Sequence, residues 1–572
     1  MTIEVNGQSI EAKEQEMLLP ALERAGFKIP TLCHLPELPP SGACRMCVVE
    51  VEGKPGLIPS CAYPVAEGMK VWTHSPRVIK ARKTVVELLL ADHPDDCLYC
   101  IRNGHCELQT LAEKLGVRER RYSGGKTPGN LDVSSPALVR DPEKCILCGR
   151  CVRVCEEVQG VAAIDFAGRG SGTRVETTFE QGLNVSSCVN CGQCVTACPT
   201  GALREQSHMK GVQDALNDPE TFVVVQHAPA VSVTLAEEFN MKAGTDVVGQ
   251  MTTAFRNIGF DRVFSTAFAA DLTIMEEASE LADRLQNGGA LPMMTSCSPG
   301  WIKYVEQFQP DFIPNLSSCK SPQQMMGAVI KSYFAQQNGL KPEQIYSVSV
   351  MPCTAKKFEA QRLELTQNGQ PDVDAVLTTR ELARLLRIRG IDLEKQDPGA
   401  VDSPLGERST AGKIFGASGG VMEAAVRTAH YLVTGEEMAD LNLQPVRGMK
   451  GIKTASLSIN GIELNVAVAN GLGQAKKILE DIKAGKQEIH FLEVMTCPGG
   501  CIGGGGQPYE SGEDDIRKRM RELYELDSRE KIRTSHGNKS IQKLYNEFLG
   551  EPLSHKSHEL LHTHYEERTT KT

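Results

Sequence analysis

A chain of 572 residues, 41% hydrophobic and 23% charged with a formal charge of −10, is long enough for several domains with their own cores. The acidic balance argues against a nucleic-acid binder, no run of about eighteen apolar residues points to a membrane span, and no basic-then-apolar leader opens the chain. Twenty cysteines are then expected as metal ligands or catalytic thiols in a reducing cytoplasm, not as disulfides.

The first segment, "MTIEVNGQSIEAKEQ", alternates and breaks at Asn6-Gly7, which predicts a strand hairpin. Cys33, Cys44, Cys47 and Cys61 follow with the spacing C-x10-C-x2-C-x13-C. The close pair Cys44/Cys47 on a Gly-rich turn is expected to serve one iron, with remote Cys33 and Cys61 closing the other side. That suits a 2Fe–2S cluster in a small strand-rich domain; zinc is the competing occupant.

Next, "HPDDCLYCIRNGHCEL" offers His93, Cys97, Cys100 and Cys106. Three thiolates and one neutral imidazole suit a cluster of raised potential. His105 is a rival ligand, and the spacing favours His93. Two internal copies of C-x2-C-x2-C-x3-C come after it: Cys145, Cys148, Cys151, Cys155 and Cys188, Cys191, Cys194, Cys198. In this two-cluster ferredoxin pattern the fourth cysteine of each run serves the other cluster. One cluster then takes Cys145, Cys148, Cys151 and Cys198; the other takes Cys188, Cys191, Cys194 and Cys155. The front of the chain thus reads as an electron wire with four clusters, which implies a redox centre at one end and a carrier at the other.

From about residue 209 strands and helices alternate. "TFVVVQHAPAV" (221–231) predicts a buried strand running into a loop. "DLTIMEEASELADRLQN" (271–287) predicts a helix with Asp271 as N-cap, and "SVSVMPC" (347–353) a strand ending at a cysteine. Ligands at strand ends fit an α/β architecture. Five cysteines remain outside the wire: Cys297, Cys319, Cys353, Cys497 and Cys501.

Three stretches around them, "TSCSPGW" (295–301), "MPCTAKKFE" (351–359) and "EVMTCPGGCIGGGGQP" (493–508), resemble the signature loops of iron-only (FeFe) hydrogenases. The order of clusters before them is similar to the clostridial monomeric type, and to the catalytic subunit of NADH-linked bifurcating hydrogenases. The resemblance implies a multidomain α+β and α/β protein. Its parts would be a β-grasp 2Fe–2S ferredoxin-like domain (1–78), a His/Cys3 4Fe–4S domain (79–125) and a bacterial ferredoxin-like domain with two 4Fe–4S clusters (126–208). An α/β catalytic domain (209–510) and a wrapping C-terminal segment (511–572) would complete it. The implied activity is 2H⁺ + 2e⁻ ⇌ H₂ at an H-cluster. That cofactor is a 4Fe–4S cubane joined through one cysteine to a diiron unit with CO, cyanide and azadithiolate.

The resemblance makes Cys353, Cys497 and Cys501 cubane ligands, Cys501 bridging, and gives Lys356 a cyanide ligand to hold. Met351 and Met495 would form a thioether wall, with Pro229, Gln323, Phe415 and the run from Gly416 completing the pocket. Glycines 503–506 are expected to let backbone approach the cofactor. Cys297 would hand protons to the pocket, with Glu277, Glu280, Arg284 and Ser317 reaching the surface. Cys319 matches no ligand and reads as a buried free thiol.

The family pattern has cysteine where Ser298 stands. A hydroxyl is far less acidic than a thiol, and hard oxygen suits iron–sulfur clusters less. Ser298 as an alkoxide ligand with Cys297 as relay is the favoured reading. Movement of Cys297 into the ligand role, or an open iron, are the alternatives. Ser298 also keeps two other functions in view: a hydrogen-sensing, low-activity H-cluster protein, and a non-catalytic Nar1-like iron–sulfur protein. Expected partners are ferredoxin and/or NADH-oxidising flavoprotein subunits, together with maturation proteins. The tail, with His555, His558, His562 and His564, tempts a metal site, but the resemblance favours packing of two amphipathic helices on the catalytic domain.

Overall fold

The computed structural model describes residues 1–127, 129–367, 369–509 and 511–569. Asn6 and Gly7 both adopt positive φ, 50° and 82°, and join antiparallel strands Thr2–Val5 and Gln8–Glu11 as a type I′ turn requires. Strands Lys70–Trp72, Val48–Val51 and Ile58–Pro59 extend these into a mixed five-stranded sheet. Helix Leu18–Arg24 covers it over a core of Leu18, Leu22, Val5, Val49 and Val71. Helix Pro76–Asp92 follows. Ser75 caps it by accepting from Val78 N, and Pro76 fills the first turn, where no N–H is needed.

In the next part, helices Arg150–Arg153 and Gln193–Ala197 each start after a left-handed glycine, Gly149 (φ 77°) and Gly192 (φ 73°). The two cysteine copies therefore share one backbone device, since only glycine takes that turn without a Cβ clash.

Beyond residue 220 lie two four-stranded sheets. The first is all parallel, in the order Arg262–Ser265, Phe222–His227, Ile345–Met351, Ala375–Thr378. Val223, Val224 and Val225 are all buried, as expected of a strand covered on both faces. The second runs Met293–Met294, Phe491–Met495, Ile462–Asn470, Ile452–Ile459, and only its last pair is antiparallel. Ala228-Pro229 and Pro352-Cys353 leave the first sheet at its carboxyl edge. Thr295–Cys297 and Thr496-Cys497 leave the second in the same way.

Helix Thr266–Asn287 starts five residues before the predicted one, with Ser265 accepting from Ala267 N as N-cap. Asp271 is not a cap. It lies fully buried inside the helix and accepts from Ser409, Gly412, Ser535 and Asn538, tying two later segments to it. The tail also departs from expectation after the helix Glu513–Arg529. The second predicted helix is broken at Gly550–Pro552 into Lys539–Leu544, a wider turn Tyr545–Leu549, and His555–Leu561. Buried Glu276 fastens both halves, accepting from Tyr545 Oη, Ser557 Oγ and Leu553 N and facing His562 Nε2 at 3.0 Å. His555, His558 and His564 are exposed, and of the four tail histidines His558 and His562 face each other, ring centroids 4.2 Å apart. Among the described residues no helix is long and apolar enough to cross a membrane.

Candidate cluster sites and catalytic pocket

The four front sulfurs pair differently from the expected arrangement. Cys47 Sγ lies 3.3 Å from Cys61 Sγ, while Cys33 Sγ accepts from Cys44 N at 3.4 Å. Hydrogen bonding from Cys44 holds the Cys33 thiol down to about 4. Cys44 and Cys47 therefore face different partners. The strand register Val48↔Pro59 is the cause, since it carries Cys61 beside Cys47.

His93 is buried with no partner on Nδ1. Burial pushes its imidazole pKa down, keeping the ring neutral and able to ligate. His105 is exposed and turns toward the Tyr509 ring at 6.4 Å. Cys100 lies against the next domain, where a Cβ on Gly201 would come 2.8 Å from its sulfur. Leu32, Met46, Cys44, Cys106 and Ile146 share one apolar cluster, so both front cluster sites abut the first cysteine copy.

Electrostatics link the two copies crosswise. Burial drives the thiols of Cys145, Cys148 and Cys155 up to about 11, 12 and 11. Cys198 adds to the shift of Cys145, Cys148 and Cys151, whereas Cys155 is raised by Cys188 and itself raises Cys191 and Cys194. Sulfurs gathered and buried in this way are costly as thiolates unless iron takes up the charge, so the donors fit clusters.

The second copy is docked on the catalytic loops. Thr354 Oγ1 donates to Asn190 O at 2.7 Å, and Gln193 Nε2 to Gly503 O at 3.0 Å. Glycines 503–506 prove to be contacts between backbones and do not face the pocket. A Cβ on Gly504 would lie 2.2 Å from Pro352 O, and one on Gly505 2.3 Å from Cys191 O. Trp301, fully buried and stacked on Tyr304 at 6.1 Å, belongs to the core that Val189 and Val195 of the second copy share with Leu472 and Val494 of the catalytic part.

Between the carboxyl edges of the two sheets lies an apolar cavity. Cys297, Ser298, Cys353, Cys501, Lys356, Gln323, Met351, Met495, Phe415 and Pro229 all line it. Its wall is almost wholly apolar, with few polar groups converging, as in cofactor sites generally. Cys497 sits behind the wall; burial and the nearby Cys353 and Cys501 push its thiol up. Cys501 is pushed up to about 12 by burial and Cys353. Three sulfurs at one corner of a dry cavity fit a cubane.

Lys356 Nζ donates to Cys297 O at 3.1 Å and to Glu359 at 2.9 and 3.1 Å. Glu359 also accepts from Ser321 Oγ and Gln323 Nε2. Sequence reasoning gave it no role, although its i,i+3 spacing from Lys356 was a visible signal. Ser298 Oγ lies 2.7 Å from Thr496 Oγ1, next to Cys497, and caps no helix end although it precedes helix Pro299–Phe308.

Glu277 is fully buried with no partner on either carboxylate oxygen. Burial, reinforced by the charge of Glu280, pushes it up to about 8. Ser317 Oγ donates to Glu280 Oε2 at 2.8 Å, and Arg284 Nη2 to Glu280 Oε1 at 2.6 Å. Arg284 also reaches the carbonyls of Ala290 and Leu316. Glu280 and Arg284 thus form a partly exposed ion pair at the end of this group.

The chain matches the family described as iron only hydrogenase large subunit, C-terminal domain, over residues 221–505, and iron hydrogenase small subunit over 513–568. Earlier segments match a 2Fe-2S iron-sulfur cluster binding domain (1–76), the NADH-ubiquinone oxidoreductase-G iron-sulfur binding region (82–121) and a 4Fe-4S dicluster domain (144–202). It is 48% identical to the NADP-reducing hydrogenase subunit HndD of Solidesulfovibrio fructosivorans, over 99% of both chains. It is 40% identical to iron hydrogenase 1 of Clostridium pasteurianum, again over 99% of both. The structure of an apo FeFe-hydrogenase HydA1 from Chlamydomonas reinhardtii matches at TM-score 0.57 and 43% identity, covering 63% of this chain and 99% of that one.

Proposed function

The chain belongs to the iron-only (FeFe) hydrogenase family, and from that premise we propose how its residues divide the work of 2H⁺ + 2e⁻ ⇌ H₂. The observation that carries the reading is the single apolar cavity on which Cys297, Ser298, Cys353, Cys501 and Lys356 converge. An H-cluster held there, with its CO, cyanide and azadithiolate ligands, supplies the metal chemistry of the H–H bond. Cys353, Cys497 and Cys501 would hold its cubane. Ser298, its hydroxyl oriented by Thr496, would supply an oxygen donor to the cubane.

Lys356, steadied by Glu359, places a compact positive charge on the wall where an anionic diatomic ligand would sit. Met351, Met495, Phe415 and Pro229 exclude water. The Cys297 thiol exchanges its proton with the pocket, Glu277 holds one in its carboxyl, and Ser317 and Glu280, the latter held in place by Arg284, pass it outward. Proton transfer between positioned groups is worth ~10²–10⁴-fold in rate.

Electrons enter through one 2Fe–2S site (Cys33, Cys44, Cys47, Cys61) and one 4Fe–4S site (His93, Cys97, Cys100, Cys106), both packed near the first cysteine copy. The contact between Cys191 and Gly505 would bring a cluster on the second copy close to a cubane held by the catalytic loops. We retain the domain limits 1–78, 79–125, 126–208, 209–510 and 511–572. The chain works with ferredoxin, with an NAD(P)-linked flavoprotein subunit or with both, and depends on maturation proteins because no side chain supplies CO or cyanide.

The test is anaerobic maturation followed by hydrogen evolution from reduced viologen and by infrared spectroscopy. Metal-carbonyl bands together with turnover are expected, and a matured sample without carbonyl bands overturns the reading. The role of Ser298 is tested separately. S298C should alter the electron paramagnetic resonance of the cubane while the carbonyl bands persist, and an unchanged signal removes oxygen ligation.

A further inference from the structure

Relay and tail meet at one point where Cys319 and His562, which have no part in the hydrogen chemistry, lie against Glu280 of the relay. The Cys319 thiol, a Glu280 carboxylate oxygen and a ring nitrogen of His562 lie within 4.8 Å of one another, all in buried surroundings. Three separate segments deliver them: the helix Thr266–Asn287, the loop after Ser317, and the end of His555–Leu561. A β-bridge between Cys319 and His562 locks the last two together.

Thiolate, imidazole and carboxylate are donors that zinc takes, at ~2.3 Å to sulfur and ~2.0–2.2 Å to nitrogen and oxygen. Closure by roughly an ångström would bring the three onto one ion. The imidazole is already held as a ligating ring is held. Its Nε2 lies 3.0 Å from the Glu276 carboxylate, which leaves Nδ1, now 2.8 Å from Ser318 Oγ, as the ligand atom. A carboxylate behind the imidazole is the outer partner that fixes its tautomer and raises its basicity. Glu280 is equally suited. Arg284 holds Oε1, while Oε2 faces both Ser317 Oγ and the Cys319 sulfur, the latter at 3.8 Å.

We propose that Cys319, Glu280 and His562 form a binding site for a borderline divalent cation, Zn²⁺ above all, and that the bound ion closes the proton route at Glu280. Binding exchanges the Cys319 thiol proton for the ion. The thiolate and the Glu280 carboxylate balance its two charges, water fills the fourth position, and no electron moves. An ion on Oε2 displaces the Ser317 hydroxyl. The blocking half rests on the relay reading above; the site itself does not.

The experiment titrates ZnCl₂ into matured holoenzyme against a competing chelator. It reads zinc K-edge X-ray absorption, which is distinct from iron, alongside iron content and hydrogen turnover. One zinc per chain with a single sulfur at ~2.3 Å is expected, with a reversible loss of turnover of more than ~10-fold that chelator restores. C319A and H562Q should each weaken zinc by at least ~10-fold, C319A losing the sulfur scatterer, in line with ligand losses at metal sites. C319A guards against misfolding of the tail in H562Q. Zinc held with sulfur but without loss of turnover overturns the blockade and leaves the site. Unchanged affinity and sulfur shell in C319A, or zinc uptake matched by iron loss, overturns the site.

Discussion

The wire and the catalytic pocket gather sulfur in opposite ways. In the wire, ligands are close in sequence, helices are as short as the four residues Arg150–Arg153, and several of the cysteines pack into the apolar core. In the pocket, Cys297, Cys353 and Cys501 come from three distant loops. They meet only because two largely parallel sheets with buried cores deliver them to one edge. The wire can be read as local motifs, whereas the pocket depends on a scaffold. Gly149 and Gly192 show the seam between them. Both are left-handed, but a Cβ on Gly149 would meet the movable Phe166 ring at 3.3 Å. One on Gly192 would meet Thr354 Oγ1 at 2.4 Å and Gly505 Cα at 3.1 Å.

The largest expected effect separates the two regions outright. C297A should lower hydrogen evolution by ~10²–10⁴-fold, the range of a lost proton-transfer group, while the magnetic resonance of all accessory clusters stays unchanged. Retention of near-parental turnover would break the assignment of the relay to the pocket side.

The seam comes next. G149A and G192A each carry the left-handed penalty of about 1–2 kcal/mol. G192A should in addition pry the second copy from the catalytic loops. Its melting temperature should drop further than that of G149A, and electron delivery to the cubane should slow after rapid reduction of the wire. Equal behaviour of the two variants would mean that the contact at Gly505 is unimportant.

A smaller effect sharpens the electrostatic contrast. Glu277 is raised to about 8 by burial and Glu280. Its folded state therefore holds the proton more tightly than the unfolded state does. The stability this gives is present at acid pH and is lost as pH rises toward and through about 8. E277Q cannot ionise, so its melting temperature relative to wild type should climb from the ordinary carboxylate range to about pH 8 and then level off. A flat difference would show that the carboxyl is ionised throughout.

The smallest effect is an expected absence. H105A should leave the cluster spectrum of the His93 site unchanged, whereas H93A should alter it. The reverse outcome would exchange the two histidines.

Much of this was visible in residue spacing. The doubled cysteine run, the Asn6-Gly7 hairpin and the 222–227 strand all depend on neighbours a few positions away, so pattern and local sterics suffice. The errors arose where a distant partner decides. Cys47 turns from Cys44 to Cys61 because a strand register brings Cys61 alongside. Asp271 looks like a cap until Ser409, Ser535 and Asn538 arrive to satisfy it inside the helix. Glycines 503–506 invite a cofactor in sequence, yet in space they admit the backbones of Pro352 and Cys191.

The sequence by itself determined which side chains are candidates to hold iron, because iron ligation selects donor type and spacing. It also set the departure at position 298. Only the tertiary structure decided which sulfurs face one another, that Glu277 stands without a partner beside the cavity, and that Cys319 meets a histidine more than two hundred residues away. The physical reason is that burial and long-range contact set both pairing and proton affinity, and neither is a property of a residue in its own segment.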